Sequence, residues 1–431
     1  MKKTEYFKYA LKVVFSYTLA FLRWLALGAA IGVCGGVVGA AFARSVQFVT
    51  ELRAQYTWLI LLLPLGGLLS VTIYKLCRVT DIGTNRVFES VRSETKVPYL
   101  LAPAVFLGSV ITHLFGGSAG REGAALQLGG SVASLLGRLL KLDEKTRHIL
   151  TICGMGAFFS ALFGTPLGAA IFALEVVSVG HFCSAAFFPA IISSVTAYGI
   201  ALKLGVHPER FALLVDPGLE VDIIWKVAVI AVLGAFISFL FCAVMHSTEH
   251  LFKRLFKNEY LRVAVGGVAI VLLTALVGNG DYNGGGISVI ERIFSDNTVR
   301  PEAFLLKILF TAITIAVGFK GGEIVPTLFI GATFGAALGG ALEIDLGLAA
   351  AVGMAALFCG VTNCPLATIV LCVELFGGKG MIFCALSAII SFLLSGTASL
   401  YTGQRFIFSK LNEDSFKTDT AVDMGISANE E

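Results

Sequence analysis

Residues Gly154–Glu175 read GMGAFFSALFGTPLGAAIFALE, and residues Gly353–Glu374 read GMAALFCGVTNCPLATIVLCVE. In both, Gly-Met is followed after ten residues by Pro-Leu and after seven more by Glu, at a constant offset of 199 (353 less 154). Agreement at five positions over such an interval marks an internal repeat. The match extends upstream: Gly120-Arg-Glu-Gly123 leads to Gly129, Gly322-Glu-Ile-Val-Pro326 leads to Gly331, and the outer glycines are nine residues apart in each. Two homologous halves result, about 20–205 and 222–405. Paired glycine and proline interruptions in a repeat of this size point to a membrane transporter whose site lies between the halves.

Composition fits that reading. The 431 residues are 56% hydrophobic with 48 further glycines, and only 14% are charged, against roughly 25% in soluble domains. From Ile149 to Val206 the formal charges are Glu175 and Lys203 alone. Several apolar stretches are shorter than the roughly 20 residues a perpendicular helix needs, so tilted, broken or re-entrant helices are expected. Non-helical backbone at that depth is tolerated only where protein buries it or a cavity solvates it. The fold class is therefore an all-α polytopic membrane protein.

Lysine and arginine cluster at Lys2–Lys12, Lys141–Arg147 and Lys253–Arg262, which the positive-inside rule places in the cytoplasm together with both termini. Residues 1–19 are expected to form a retained cytoplasmic or interfacial helix, and 412–431 a short polar tail with no soluble regulatory domain. A net charge of +3 without a basic stripe argues against nucleic acid. The nine cysteines fall in or beside apolar runs without a CxxC pair, so they read as packing residues. No HExxH, GxxxxGK[ST] or GxSxG occurs and the six histidines are scattered. Neither an enzyme, an ATP-driven pump, a metal nor a cofactor is expected.

Three glycine-bearing loops open apolar helices: Asp81-Ile-Gly-Thr-Asn85, Gly117–Gly123 and Gly321–Pro326. A helix start leaves backbone N–H groups unpaired at the positive end of the dipole, which makes an anion site without a basic side chain. The alternative for any one loop is close helix packing through glycine. Glu122 and Glu323 stand in the second and third loops. A carboxylate at membrane depth costs on the order of 2.5–3.5 kcal/mol and usually lines a pathway or carries a proton. Glu122 could occupy the anion site itself and leave on protonation, or simply pair with Arg121; Glu323 admits the same two readings.

At these residues the chain resembles the CLC family of chloride channels and anion/proton exchangers. GREG (Gly120–Gly123), FGTPLGAAIFALE (Phe163–Glu175) and GGEIVPTLFIGATFG (Gly321–Gly335) carry the resemblance, which covers nearly all of 20–410. It implies a homodimer of inverted-repeat helical bundles, each with its own anion pathway. It also implies that Glu122 gates the pathway and shuttles protons, and that Tyr401 supplies a hydroxyl at the central anion site. Ile82, Gly83, Thr84 and Asn85 in the first loop, Gly120, Arg121 and Gly123 in the second, and Ile324 and Val325 in the third would surround the anion.

Departures from the chloride-handling pattern refine this. Ile82 and Asn85 stand where GSGIP has its serine and proline, Ala124 replaces the proline of GREGP, Glu323 replaces an apolar residue, and Val176 replaces the inner proton-transfer glutamate. Glu323 and Asn85 resemble the fluoride/proton exchanger branch, which implies fluoride and protons as the transported partners in a bacterial plasma membrane, alongside lipid and a second copy of the chain. The first loop, which begins with Asp81, matches that branch imperfectly. Fluoride is small and strongly hydrated, so its pathway needs close donors; Thr84, Asn85, Tyr401 and a protonated Glu323 would provide them. The alternative within the family is a chloride/proton antiporter or a chloride channel. Glu175 and Glu374, at the matched ends of the repeat, read as structural or as lying near the cytoplasmic surface.

Overall fold

The computed structural model describes residues 3–79, 83–93, 95–213, 218–407 and 409–410. Asp81 and Ile82 of the first loop and the tail 412–431 lie outside these residues. The first half contributes α1 (Lys3–Gln55), α2 (Leu63–Leu76), α3 (Thr84–Arg92), α4 (Leu101–Leu114), α5 (Glu122–Leu139), α6 (Glu144–Phe163), α7 (Pro166–Glu175) and α8 (Ser184–Lys203). The second contributes α9 (Val221–Leu255), α10 (Glu259–Val277), α11 (Ile287–Asp296), α12 (Ala303–Ala316), α13 (Ile324–Ala341), α14 (Leu346–Thr362), α15 (Pro365–Phe376) and α16 (Met381–Leu394). Eight described α-helices in each half, in matching order, form the inverted-repeat bundle. The boundary expected after residue 19 falls inside α1, which is continuous because no glycine or proline interrupts residues 3–27.

Local chemistry sets the breaks, and it does so twice. Asp143 caps α6 by accepting the Thr146 N–H at 3.1 Å, and Asp345 caps α14 by accepting the Leu348 N–H at 2.8 Å. Gly164 (φ 78°) ends α6 and Asn363 (φ 58°) ends α14, both left-handed, and Pro166 and Pro365 then restart the chain as α7 and α15. The repeated glycines are contact points. A Cβ on Gly129 would lie 2.1 Å from the Gly154 carbonyl oxygen, and one on Gly331 would lie 2.5 Å from that of Gly353. These contacts let α5 cross α6, and α13 cross α14, backbone against backbone.

Among the described residues, seven helical stretches are long and apolar enough to cross a membrane. The shorter ones include α4 and α12, 14 residues each, about 21 Å at 1.5 Å per residue; that is less than the roughly 30 Å hydrocarbon core. Large apolar side chains stand exposed on the outer helices, among them Phe236 and Phe239 on α9 and Leu272 and Leu276 on α10, as a lipid-facing surface requires. One feature has no local signature in the sequence: Ser178–Val179 (β1) pairs in parallel with Arg405–Phe406 (β2), tying the end of the first half to the end of the second.

Candidate functional site

The second and third loops meet at the centre of the bundle. Gly120 and Gly322 exchange reciprocal N–H to carbonyl hydrogen bonds, both 2.7 Å, in an isolated antiparallel bridge. A Cβ on Gly123 would lie 2.7 Å from the Gly322 Cα, so glycine is what brings the starts of α5 and α13 face to face. Their first-turn N–H groups, including those of Ile324 and Val325, have no intrahelical acceptor and converge with the positive dipole ends on this point.

Glu122 is the first residue of α5 and is fully buried. Its carboxylate folds back over the bridge: Oε2 accepts the Arg121 N–H at 3.0 Å and lies 2.9 Å from where a Cβ on Gly120 would sit. Oε1 lies 3.5 Å from Arg121 Nε and has no hydrogen-bond partner. The guanidinium is instead engaged elsewhere, with Nη2 donating to Glu209 at 2.8 Å and to the Leu162 carbonyl at 3.2 Å. Both sequence readings of Glu122 therefore have a physical counterpart: the carboxylate sits at the helix start, and Arg121 touches it only loosely.

Two cavities approach the bridge. One, of about 490 Å³, is lined by Gly120, Arg121, Glu122, Glu209 and Val325. The other, of about 410 Å³, is lined by Gly83, Thr84, Asn85, Gln127, Glu323 and Tyr401. The first also touches Gly280, just past the end of α10, and the second touches Lys253, just before its start. Because α10 is 19 residues long, about 28 Å, the two cavities open toward opposite ends of the bundle. Glu122 faces one and Glu323, at the cap of α13 beside Gly123, faces the other.

The first loop meets the second cavity differently from its sequence expectation. A Cβ on Gly83 would touch nothing within 4 Å and its φ of −118° is ordinary, so sterics do not demand glycine there. Thr84 Oγ1 accepts from Gln127 Nε2 at 3.1 Å. Asn85 is not turned toward an open donor position: Nδ2 donates to Thr402 Oγ1 at 2.6 Å and Oδ1 accepts the Gly403 N–H at 2.9 Å. Tyr401, 3% exposed, packs edge-on against Phe88 with ring centroids 5.2 Å apart, and its hydroxyl is buried without a partner. That hydroxyl, the Thr84 hydroxyl and the Glu323 carboxyl are among the polar groups a dehydrated anion would meet on the second side, where Lys253 and Lys320 also line the cavity.

Sequence reasoning missed several contributors. Gln127 and Glu209 are placed by long-range contacts, and Ser109 lines the second cavity with its hydroxyl unpartnered. Lys307 had a signal, a lone cation in the apolar run Ala303–Ala316. It is fully buried and donates to the carbonyls of Tyr282 and Gly284 at 3.1 and 2.7 Å. That loop in turn donates Gly284 N–H to the Gly117 carbonyl at 3.0 Å and Asn283 Nδ2 to the Gly116 carbonyl at 2.9 Å. Lys307 thus braces the loop preceding Glu122.

Residues 66–396 match the family described as voltage gated chloride channel. A chloride/fluoride channel protein of Pseudomonas syringae pv. tomato is 34% identical over 400 residues, 90% of this chain and 87% of the relative. An H(+)/Cl(−) exchange transporter of Vibrio campbellii is 26% identical over 431 residues, 92% of this chain and 90% of the relative. Among solved structures, a CLC-type fluoride/proton antiporter superposes with a TM-score of 0.87 at 33% identity, covering 90% of this chain and 98% of that one. A slow cyanobacterial Cl−/H+ antiporter superposes at 0.77 with 20% identity, covering 86% and 94%, a likeness of fold.

Proposed function

The chain belongs to the voltage gated chloride channel family, a family of anion transporters, and we propose that within it the protein is a fluoride/proton antiporter that exports fluoride across a bacterial plasma membrane. The observation that carries this reading is the pair of carboxylates at the joined helix starts, Glu122 toward one cavity and Glu323 toward the other. Glu122 holds the α5 start as a charged occupant; on protonation it loses the attraction of the dipole and yields the place to an anion. Glu323 is an acceptor when ionised and a donor when protonated, so a small anion bound beside it brings a proton with it. Tyr401 and Thr84 complete a short-range donor set suited to replacing the hydration of fluoride. The protein works as a homodimer with a separate pathway in each subunit and both termini in the cytoplasm, and it needs no cofactor.

Reconstitution into liposomes with fluoride and chloride electrodes and an internal pH probe tests the proposal. A proton gradient is expected to drive fluoride uphill, with fluoride strongly preferred. Chloride flux equal to or faster than fluoride flux would overturn it in favour of a chloride/proton antiporter.

A further inference from the structure

Away from the anion pathway, a cavity of about 390 Å³ lies between α5, the first turns of α6 and the segment after α3. Lys96, Arg138 and Arg147 line it together with Ser90, Ser134 and Thr151. Among the described residues none of these three cations is in an ion pair, and the one carboxylate on the wall, Glu144, lies 3.6 Å from His148. Arg147 Nε is buried with no hydrogen-bond partner. Arg138 donates only to neutral groups, the Val97 and Ser134 carbonyls at 2.6 and 3.2 Å and the Ser134 hydroxyl at 3.4 Å. Among the described residues Glu144 alone answers these cations on the wall, and Arg147 Nε stays unsatisfied, a cost that a bound anion removes.

A second cavity, of about 290 Å³, shares one wall with the first. His148 lines both, and the second is walled by Val91, Ile149, Ile152, Leu174 and Val177 together with Arg92, Lys145 and His181. The division follows helix geometry: Glu144, Arg147, His148 and Thr151 form one stripe of α6, and Lys145, His148, Ile149 and Ile152 the next. A basic, hydroxyl-rich chamber beside an apolar one on a membrane helix matches an amphiphile, and a free anion has no use for the apolar part. Both chambers belong to the side of the bundle carrying the Lys141–Arg147 cluster. α3, which ends at the basic chamber, begins with Thr84 at the Glu323 cavity.

We propose that this pair of cavities binds an anionic phospholipid, the phosphate among Lys96, Arg138 and Arg147 and one acyl chain in the apolar chamber against Ile149 and Ile152. Arginine forks match phosphate oxygens bidentately, and basic pockets between helices on the cytoplasmic side suit such headgroups. The assignment is independent of which anion the protein transports.

Calorimetric titration of the full-length chain in neutral detergent tests it. Dioctanoyl phosphatidylglycerol is expected to bind at least about tenfold more tightly than dioctanoyl phosphatidylcholine, and than glycerol phosphate or inorganic phosphate. This series on the unaltered chain decides the claim without any variant. The combined change Arg138→Gln and Arg147→Gln is expected to reduce phosphatidylglycerol binding to the phosphatidylcholine level, in protein whose melting temperature without lipid matches the unaltered chain. Ile149→Trp, which fills the apolar chamber, is expected to weaken the lipid and leave glycerol phosphate unaffected. Equal binding of the two lipids, or undiminished phosphatidylglycerol binding by the arginine variant, overturns the headgroup site. Glycerol phosphate binding as tightly as the lipid overturns the assignment of a lipid ligand.

Discussion

Glu175 and Glu374 cap each other's halves. The Glu175 carboxylate, at the end of α7, accepts the Leu366 and Ala367 N–H groups at the start of α15, at 3.2 and 2.9 Å. The Glu374 carboxylate, near the end of α15, accepts the Leu167 and Gly168 N–H groups at the start of α7, at 3.0 and 2.8 Å. Each is a charged cap at the positive end of a helix from the other half. Replacing either by glutamine leaves one acceptor oxygen where there were two and removes the charge. Glu175→Gln and Glu374→Gln should each destabilise the chain by about 1–3 kcal/mol, by similar amounts because the two sites are counterparts. Melting in detergent reads this directly, with anion selectivity retained. Unchanged melting for either variant would refute the capping role.

The same pair shows what the sequence carried and where it stopped. Gly-Met, Pro-Leu and Glu recurring at one offset exposed the repeat, because backbone crossings, helix restarts and caps each demand particular residue types at particular places. Pro166 and Pro365 act on their immediate neighbours, so those helix restarts were legible. Contacts between distant segments leave no such trace. Nothing local in Glu209 announces Arg121, and nothing in Asn85 announces Thr402 and Gly403. Lys307 was visible as an isolated cation, and only the carbonyls folded around it reveal that it braces a loop. The open space around Gly83 shows that the alternative of close packing through glycine does not hold for the first loop, whose glycine lines a cavity.

Glu122 offers the sharpest test of coupling. Its carboxylate sits over Gly120 with one oxygen bound to the Arg121 N–H and the other unpartnered, an arrangement for a group that is held by charge and released by a proton. Glu122→Gln removes both the charge and the capacity to carry the proton while keeping the shape. Anion movement should persist and proton movement should fall below detection in the liposome assay. Retained proton coupling would mean that another group carries the proton.

Glu209 is expected to tune that release. Its side chain lies in the connection between the halves, where burial raises the carboxyl above the usual carboxylate range and the Arg121 guanidinium pulls it partly back, with Glu291 raising it further. Because the shift is upward, Glu209 is neutralised, and its grip on Arg121 lost, at a higher pH than an ordinary carboxylate would be. Glu209→Gln imposes that state at all pH values. Arg121, no longer drawn to Glu209 at 2.8 Å, turns to the unpartnered Oε1 of Glu122 and holds it at the helix start. Turnover should fall several-fold at neutral pH, and the gap to the unaltered protein should narrow as the solution on that face is acidified. Equal turnover at neutral pH would show that Arg121 does not restrain Glu122.

Asn85 separates a direct role from a positioning one. Its amide is committed at both ends, to the Thr402 hydroxyl and the Gly403 N–H, and those residues follow Tyr401, whose hydroxyl faces the second cavity. Arg92 Nη2 holds the same segment through the Gly403 carbonyl at 2.6 Å. If Asn85 acts by fixing Tyr401, then Thr402→Val should weaken apparent fluoride affinity as Asn85→Ala does, and Thr402→Ser should restore it. One neutral hydrogen bond is worth about 0.5–1.5 kcal/mol, so the expected loss is roughly twofold to tenfold for Thr402→Val, which removes one, and at least as large for Asn85→Ala, which removes two. The opposite pattern, with Thr402→Val unimpaired and Asn85→Ala damaged, would mean that the amide leaves Thr402 during transport and donates to the anion itself. Concentration dependence of fluoride flux through the three variants distinguishes the two, because only the positioning role makes the threonine hydroxyl matter.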